Sequence, residues 1–329
     1  TETWLSNSVS KCITDAKKVV FIQGLIGVHK RYLGGYFGDL KEDKKYLRGE
    51  SLLCKCKGIF RKRNFLRQAD IEKETILNCR NVIVDSDFAK AYCSSISTDI
   101  VCYNHVLLPN NLFYQKKWDL KKCEKHTIFT VYGSSAEKGT QNLLKAVAIV
   151  RRKFPDVKVI IPGGYQLNQE GKLTSSKSDS FQNAMYNMIK NLDLEDNVKF
   201  TGRLSAEQMA NTMEKCHIFV NPSCMEVHAL SLRESMIVGL PCISAQCGSV
   251  VEFLQHKVNG LLYRYEEYES LAYYMNILFS NPEMCNDFSD KASKTFDRSD
   301  SKSLLKWCPE SPAILQLLHP KVCLSAYRH

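Results

Sequence analysis

Residues 217–246 read HIFVNPSCMEVHALSLRESMIVGLPCISAQ, a strand-like run, a loop, a helical segment and a second strand-like run. The apolar runs at the two ends lack strict alternation, which is typical of strands buried on both faces of a parallel sheet. The segment 230–240 between them has helical character, and Gly239 and Pro241 close the helix. The stretch therefore predicts a β-α-β unit.

The same alternation of strand and helix extends through most of the chain. Strand-like runs occur at 19–23, 81–86, 100–104, 127–133, 157–164, 198–202, 217–223 and 241–246. Helical patterns separate them, which predicts an α/β fold with parallel sheets. The polar segment 114–126 divides the strands into two groups. We therefore predict two doubly wound domains, 1–118 and 125–298, followed by an irregular tail, 299–329, in which prolines prevent a long helix.

Composition is that of a globular protein. Of the 329 residues, 44% are hydrophobic and 24% are charged. The sequence contains no run of about 18 apolar residues and no signal-peptide layout, so a cytoplasmic protein is expected. Fourteen cysteines occur without any CxxC pair, whereas zinc sites need closely spaced ligand pairs, so buried free thiols are predicted.

The net charge of +10 is concentrated in one basic segment, residues 41–67, which also contains aromatic residues. Such a segment could hold anionic lipid head groups, a phosphorylated substrate or RNA, or could form a solvated helix face. Composition alone leaves these alternatives open.

Two carboxylates, Glu226 and Glu234, interrupt the small and apolar stretch quoted above. A buried carboxylate without a partner is unfavourable, so the protein or a ligand should supply one. Glu226 is expected in the loop after the first strand, and Glu234 in the first turns of the helix. The helix start between them, around residues 228–231, offers free N–H groups and the positive end of the helix dipole to an anion.

Each glutamate also has a structural interpretation. Ser231 and Glu234 have the spacing of a capping box, in which the glutamate accepts a hydrogen bond from the backbone at the helix start. Glu226 equally fits a carboxylate in a surface loop. The residues alone leave ligand binding and these structural roles open.

Three longer segments resemble the large family of retaining GT-B glycosyltransferases called glycosyltransferase group 1, or family 4. They are VYGSSAEKGTQNLLKAVAIVRRKFPDVKVIIPGG (131–164), LEDNVKFTGRLSAEQMANTMEKCHIFVNPS (194–223) and NPSCMEVHALSLRESMIVGLPCISAQCGSVVEFLQHKVNGLLY (221–263). The similarity covers about residues 125–295. Weaker similarity at 19–25 and 80–93 extends it into the first domain.

The resemblance implies the GT-B fold, in which two Rossmann-like doubly wound domains face a cleft. Domain 1–118 would be the acceptor-side domain, and domain 125–298 would bind the nucleotide sugar. The first domain has only three clear strands and lacks the glycine-rich loop that opens many such domains. It is therefore expected to be incomplete, as in a chain truncated at the N-terminus.

The resemblance also implies roles for individual residues. Glu226 would hold hydroxyls of the transferred sugar near the reacting carbon, and Glu234 would accept hydrogen bonds from the two ribose hydroxyls. Lys138 would be the counter-charge of the diphosphate, together with backbone N–H groups around Ala229 and Leu230. Catalysis is thus expected to depend on Glu226 and Lys138, with no metal ion and no other cofactor.

Two departures from the family pattern concern the phosphates and the base. Gly133 and Ser134 stand where an arginine usually precedes the lysine, so Gly133 keeps a donor-side position without a charge. The base would lie near Gly202 and Arg203. Arg203 is a candidate for the missing cation.

Two further departures concern imidazole groups. His228 stands at the donor site between Val227 and Ala229, which occupy the positions of family glycines. Gln23 stands on the acceptor side, where the family often has a histidine. Only a binding role is therefore expected of Gln23.

A competing motif, VIVDSD, ends a strand with Asp85 and Asp87. This is the DxD layout by which GT-A glycosyltransferases hold a divalent metal against a diphosphate. The same residues fit a helix start, with Ser86 as the N-cap and Asp87 in the first turn.

Together these features predict a hexosyltransferase that moves a sugar from a nucleotide diphosphate sugar to a carbohydrate or lipid-linked acceptor with retention, as in cell-surface polysaccharide or glycolipid synthesis. A peripheral contact with anionic membrane at the inner face of the cell membrane is expected, and nucleic acid is not expected as a partner. Two alternatives stay open. One is a nucleotide-sugar-binding protein without catalysis, and the other is a nucleotide-sugar epimerase or phosphorylase of the same architecture.

Overall fold

The chain forms two parallel β-sheets with helices packed against them. The computed structural model describes residues 3–12, 18–22, 24–32, 46, 52–104, 109–130, 133, 135–176, 179–296 and 323–326. The strands of the first sheet are β1 (Lys18–Ile22), β2 (Asn81–Val84), β3 (Val101–Asn104) and β10 (Cys323–Ala326). They lie in the order β10-β1-β2-β3, and all neighbouring pairs are parallel.

The helices beside the first sheet are α1 (Thr3–Cys12), α2 (Ile26–His29), α3 (Leu52–Cys79) and α4 (Asp87–Ile96). α4 begins directly after β2 because Ser86 caps it, its hydroxyl accepting a hydrogen bond from the backbone N–H of Ala89. Asp87 lies in the first turn, where a negative charge favours the helix dipole. The predicted helix start at Ser86 is confirmed.

The polar segment 114–126, which divides the strands into two groups, packs against the second domain. It follows the short helix α5 (Asn111–Tyr114). Trp118 is buried, its backbone N–H donates to the carbonyl oxygen of Val238 at 2.8 Å, and its indole N–H donates to that of Cys216 at 2.7 Å. These contacts anchor the connection between the two sheets.

The second sheet contains β4 (Thr127–Thr130), β5 (Lys158–Ile161), β6 (Val198–Phe200), β7 (Ile218–Asn221), β8 (Cys242–Ala245) and β9 (Leu261–Tyr263). Its helices are α6 (Thr140–Val150), α7 (Ser180–Asn191), α8 (Ala206–Lys215), α9 (Leu230–Val238), α10 (Tyr268–Ser280) and α11 (Pro282–Thr295). The spatial order β6-β5-β4-β7-β8-β9 corresponds to 3-2-1-4-5-6, the strand order of the Rossmann fold. The predicted α/β fold with parallel sheets is confirmed.

The strand predictions agree with the structure. Every predicted strand-like run contains a strand, and β4, β7 and β8 are buried at every position, as expected for strands covered on both faces. β9 and β10 were not predicted. β10 lies within the segment that the sequence indicates as irregular, and it pairs with β1 of the first sheet.

Three smaller expectations concern the membrane and the cysteines. Among the described residues, no helix is long and apolar enough to cross a bilayer. The cysteines described are free, and Cys79, Cys93, Cys216 and Cys242 are buried, as predicted. Most of the basic segment 41–67 lies outside the residues whose side chains are described, so its membrane contact stays a prediction.

Candidate functional site

The candidate site lies where the strand order of the second sheet reverses. β4 and β7 are neighbours, and the sheet continues from them in opposite directions, so a crevice opens at their carboxyl ends. A 3-10 turn, Ala136–Lys138, follows β4, and the β7–α9 loop, residues 222–229, follows β7. Ligands of open parallel sheets bind in such a crevice.

The backbones of the two loops hold each other in place. Gly139 adopts a left-handed conformation with φ of 71°, and a Cβ there would lie 1.8 Å from the carbonyl oxygen of Pro222. Only glycine therefore fits at this position. The N–H of Cys224 donates to the carbonyl oxygen of Glu137 at 2.9 Å. The turn that carries Lys138 is thus fixed against the β7–α9 loop.

Lys138 and Glu226 form an ion pair in the crevice, with Nζ 2.7 Å from Oε1. Glu226 is only 8% exposed, so it is not a solvated surface carboxylate. Burial raises the pKa of Glu226 and lowers that of Lys138, but the attraction between the two charges outweighs burial in both cases. The pKa of Glu226 is therefore lowered and that of Lys138 is raised, and both groups are charged at neutral pH.

The N-terminus of α9 is open. Ala229, the residue before the helix, is left-handed (φ 48°, ψ 43°), and no side chain caps the helix. Leu232 and Arg233 donate their N–H groups to the carbonyl oxygen of Ala229. Within the part of the chain that the structure describes, the N–H groups of Leu230 and Ser231 have no hydrogen-bond partner. Such a helix start favours an anion.

The capping-box interpretation of Ser231 and Glu234 is wrong. A capping box would require Ser231 at the N-cap position, but Ala229 occupies that position and Ser231 lies inside α9. The carbonyl oxygen of Ser231 accepts a hydrogen bond from the hydroxyl of Ser235, as expected in the interior of a helix. Glu234 therefore does not cap its own helix.

Glu234 lies one turn after Leu230 in α9 and is 7% exposed. Among the described residues, its carboxylate has no hydrogen-bond or ion-pair partner. Burial raises its pKa to about 8. The side chain is therefore largely protonated at neutral pH, and a ligand that donates hydrogen bonds to it would favour the ionised form.

A cavity of about 190 Å³ opens beside the ion pair and the start of α9. It brings together the predicted site residues Lys138, Glu226, His228, Ala229 and Leu230. Its lining also includes Ser231, from the predicted anion-binding helix start, and two residues that the sequence did not indicate, Asn221 and Leu232. Asn221 is the last residue of β7. A polar residue at the carboxyl end of a buried strand is the signal that could have indicated it.

The other predicted donor-side residues lie outside this cavity. Gly202, which is left-handed, and the exposed Arg203 follow β6, two strands away from β4. Gly133 follows β4 and is buried, and its carbonyl oxygen accepts a hydrogen bond from the Tyr165 hydroxyl. All of them lie at the carboxyl-end edge of the sheet, as the cavity does. Gln23 and Ser134 lie outside the described residues.

Asp85 and Asp87 have different partners. Asp85 is fully buried, and its Oδ2 lies 2.5 Å from Nδ1 of His228. Asp87 is exposed and accepts a hydrogen bond from the side-chain amide of Asn104 at 3.1 Å. No group of three or more His, Cys, Asp or Glu side chains that could hold a metal occurs among the residues described. The two carboxylates of the DxD motif thus do not converge.

An imidazole of the first domain also lies near the site. His29 ends α2. Burial raises the pKa of Glu226 and Lys138 lowers it, and the positive charge of His29 adds to the lowering. The sequence indicated Gln23 instead, because Gln23 occupies the family position.

Comparison with known proteins identifies the family. The family model described as glycosyl transferases group 1 matches residues 114–295, more than half of the chain. The chain belongs to glycosyltransferase group 1. The predicted family is confirmed, and the match includes Lys138, the β7–α9 loop and Glu234.

Curated relatives of this group 1 glycosyltransferase extend the match. An uncharacterized glycosyltransferase of Haemophilus influenzae is 30% identical over 185 residues, which are 56% of this chain and 47% of that protein. The amylovoran biosynthesis glycosyltransferase AmsK of Erwinia amylovora is 25% identical over 278 residues, which are 79% of this chain and 62% of AmsK. The chain therefore spans less than two thirds of the length of either relative.

Solved structures share the fold of this group 1 glycosyltransferase. Sucrose-phosphate synthase from Thermosynechococcus elongatus superposes with a TM-score of 0.67 at 16% identity, over 96% of this chain and 69% of that one. HepE from Anabaena, solved with UDP and glucose, superposes with a TM-score of 0.63 at 16% identity, over 91% of this chain and 71% of HepE. The predicted GT-B fold is confirmed.

Proposed function

We propose that this group 1 glycosyltransferase moves a sugar from a nucleotide diphosphate sugar to a carbohydrate or lipid-linked acceptor, with retention of configuration at the anomeric carbon. The observation that carries the proposal is the ion pair of Lys138 and Glu226 beside the open start of α9. An ammonium and free N–H groups suit a diphosphate. A neighbouring carboxylate suits the hydroxyls of a sugar.

The diphosphate would lie at the N-terminus of α9. The free N–H groups of Leu230 and Ser231 would donate hydrogen bonds to its oxygens, and Lys138 would supply a full positive charge. The negative charge of the diphosphate grows as the sugar departs, so these groups stabilise the transition state more than the bound substrate. The proposal assigns this stabilisation to protein groups and includes no metal ion and no other cofactor.

Glu226 would orient the transferred sugar. Although burial raises its pKa, the attraction of Lys138 keeps the pKa low, so the group is a carboxylate at neutral pH. A carboxylate accepts hydrogen bonds from sugar hydroxyls and favours positive charge at the anomeric carbon. In this proposal Glu226 and Lys138 are the catalytic residues, because they would touch the sugar and the leaving group.

The nucleoside would extend along the carboxyl-end edge of the sheet. Glu234 is buried and has no partner among the described residues, and its carboxylate would accept hydrogen bonds from the two ribose hydroxyls. Gly202 and Arg203 would face the base, and the space around Gly202 is open, since no atom lies within 4 Å of an added Cβ. Gly133, with the Tyr165 hydroxyl on its carbonyl oxygen, would line the same edge.

The acceptor class is supported by the names of relatives. AmsK is named for amylovoran biosynthesis, and another relative, 25% identical over 158 residues, is the alpha-monoglucosyldiacylglycerol synthase of Streptococcus pneumoniae. These names support a polysaccharide or glycolipid acceptor. The acceptor would enter from the first domain, on the side of Gln23. The basic segment 41–67 would contact anionic lipid at the cytoplasmic face of the membrane, and no nucleic acid takes part.

The test is a transfer assay with the 329-residue chain. UDP-glucose and GDP-mannose are supplied separately, and release of UDP or GDP is measured with and without carbohydrate and lipid-linked acceptors. Release that depends on the acceptor and a product of retained anomeric configuration are expected. An inverted product would contradict retention. Nucleotide binding without release in the presence of every acceptor would favour the non-catalytic binding protein.

A further inference from the structure

Charged side chains join the two domains directly behind the β7–α9 loop. Asp85, at the end of β2 in the first domain, lies with Oδ2 2.5 Å from Nδ1 of His228. Arg233, on α9, lies with Nη1 3.4 Å from the same nitrogen. The contact with Asp85 is a close charge contact in which Oδ2 lacks hydrogen-bond geometry, whereas the longer contact with Arg233 has that geometry.

A second contact crosses the same boundary. Glu252 ends the 3-10 turn Gly248–Glu252 of the second domain, and its carboxylate accepts hydrogen bonds from the N–H groups of Asp87 and Phe88 at 3.2 and 2.9 Å. The second domain therefore satisfies backbone donors at the start of α4 in the first domain. Asp85 and Glu252 thus bind the two domains through neighbouring ends of β2 and α4.

The turn that carries Glu252 also holds the backbone of the catalytic carboxylate. The N–H of Ser249 donates to the carbonyl oxygen of Glu226 at 2.9 Å. A Cβ on Gly248 would lie 1.9 Å from that oxygen, so the approach of the two backbones is close. The contacts to the first domain and to Glu226 are therefore separated by only a few residues.

The cluster is buried, and its charges depend on one another. Asp85 is fully buried and Arg233 is 1% exposed. Burial lowers the pKa of Arg233 to about 10, while Asp85 and Glu252 act in the opposite direction. The guanidinium also lies 4.9 Å from the ring centroid of Phe253. Two carboxylates, Asp85 and Glu252, thus act on one guanidinium.

We propose that Asp85 is a positioning residue for the nucleotide-sugar site, because it holds the imidazole of His228 from the opposite domain and so fixes the β7–α9 loop around the diphosphate. This inference rests on the proposed function for the identity of the ligand. His228 lies between Glu226 and the left-handed Ala229, all three line the cavity, and Ala229 is the N-cap of α9. A left-handed alanine is strained and persists only where its surroundings hold it. The close contact between Asp85 and the imidazole of His228 supplies that restraint.

The test combines kinetics and hydrogen exchange on the full chain. The variants are Asp85→Ala, His228→Ala, the double variant, and Asp87→Ala as the matched control two residues away. kcat and KM for the nucleotide sugar are measured, together with hydrogen exchange in the peptide that covers residues 226–232. Asp85→Ala should lower kcat/KM by about 10- to 100-fold, the size expected when reacting groups are misplaced by about 1 Å. It should also speed exchange at residues 227–231. The double variant Asp85→Ala/His228→Ala should lose no more kcat/KM than either single variant.

The control variant and the Asp85 variants together test whether Asp85 positions the β7–α9 loop. Asp87→Ala, whose carboxylate does not contact His228, should keep the kinetics and the exchange of the wild type. Unchanged kcat/KM or unchanged exchange of the loop in a folded Asp85→Ala protein would overturn the proposal, and so would additive losses in the double variant. If Asp85→Ala fails to fold, Asp85→Asn replaces it, because the amide keeps the shape without the charge. If the wild type turns over no nucleotide sugar, the proposed function fails, and loop exchange alone still decides the role of Asp85.

Discussion

The starts of α8 and α9 have the same sequence pattern and opposite structures. Ser205 and Gln208 form a complete capping box at α8, with the Ser205 hydroxyl accepting from the N–H of Gln208 and the Gln208 side chain accepting from the N–H of Ser205. Ser231 and Glu234 have the same spacing, yet α9 has no side-chain cap. A side chain therefore caps α8, whereas no side chain caps α9, whose start lies in the cavity beside Lys138 and Glu226.

The difference shows how a fold separates stability from binding. At α8 the side chains of Ser205 and Gln208 bind the N–H groups of Gln208 and Ser205, and this helix start does not line the cavity that contains Lys138. At α9 the left-handed Ala229 places Ser231 inside the helix, and the donor groups stay available. A polar group that is buried in a crevice without a hydrogen-bond partner lowers the stability of the free protein. A ligand that supplies the missing hydrogen bond restores this free energy when it binds.

The largest effect is expected from Lys138→Met. In the proposed function the variant removes the ammonium that would face the leaving diphosphate, so kcat/KM should fall by about 100- to 1,000-fold, the usual effect of losing one preorganised donor to a developing charge. Steady-state transfer assays measure this, with Lys121→Met on the exposed surface as the matched control.

Lys138→Met also leaves Glu226 buried without its partner. The double variant Lys138→Met/Glu226→Gln should therefore be more stable than the single variant and equally inactive. Full activity in either protein would contradict the role of Lys138.

The second effect is a pH dependence of stability caused by Glu234. Burial raises its folded-state pKa from 4.5 to about 8, so its proton stabilises the folded state below pH 4.5 and this stabilisation is lost as pH rises towards 8. In the absence of nucleotide, Glu234→Gln should therefore gain stability relative to the wild type by up to about 1.4 kcal/mol per pH unit across this window.

Thermal unfolding at pH 5.5, 7 and 8.5 measures this difference. Glu207→Gln, at an exposed carboxylate in the first turn of α8, is the matched control. A constant difference between Glu234→Gln and the wild type at all three pH values would show that Glu234 has a partner in the free protein.

A smaller effect on stability is expected at the capped start of α8. Gln208→Ala removes the hydrogen bond to the N–H of Ser205, which should lower the free energy of unfolding by about 0.5–1.5 kcal/mol. Nucleotide affinity should not change, because α8 does not line the cavity that contains Lys138 and Glu226. Chemical denaturation and calorimetric titration on the same preparation measure both quantities. A loss of affinity equal to the loss of stability would remove the distinction between the two helices.

The smallest effect is expected from Ala229→Gly. Glycine adopts the left-handed conformation at little cost, whereas alanine does not, so the variant should gain about 0.5–1 kcal/mol of stability. Denaturation curves of the variant and the wild type measure this gain. A loss of stability would show that the left-handed turn is not strained.

The sequence was sufficient for the features that depend on local pattern or on family position. Strand-like runs located β1 to β8, and the resemblance placed Lys138 and Glu226 in one site, where they form the ion pair. The capping pattern at Ser86 was also interpreted correctly. Neighbouring residues determine the strands and the cap, whereas Lys138 and Glu226 are 88 residues apart and were placed together only by the resemblance.

The sequence was insufficient for features that depend on contacts between distant residues or on a single backbone angle. The φ of Ala229 determines where α9 begins, and nothing in the spacing of Ser231 and Glu234 reports that angle. Asp85 meets His228 only because the two domains pack together, so the DxD motif could not reveal its partner. β10 pairs with β1 across nearly the whole chain, and its short run carries no helical or turn signal that places it there.

The most direct test of the account is a calorimetric titration of UDP and GDP into the wild type and Glu234→Ala, with unfolding measured on the same proteins. The account predicts that Glu234→Ala weakens nucleotide binding by about 1–3 kcal/mol, the cost of leaving ligand hydrogen bonds unmade. It also predicts that the free protein is no less stable than the wild type, because Glu234 has no partner among the described residues. Reduced stability with unchanged nucleotide affinity would contradict it.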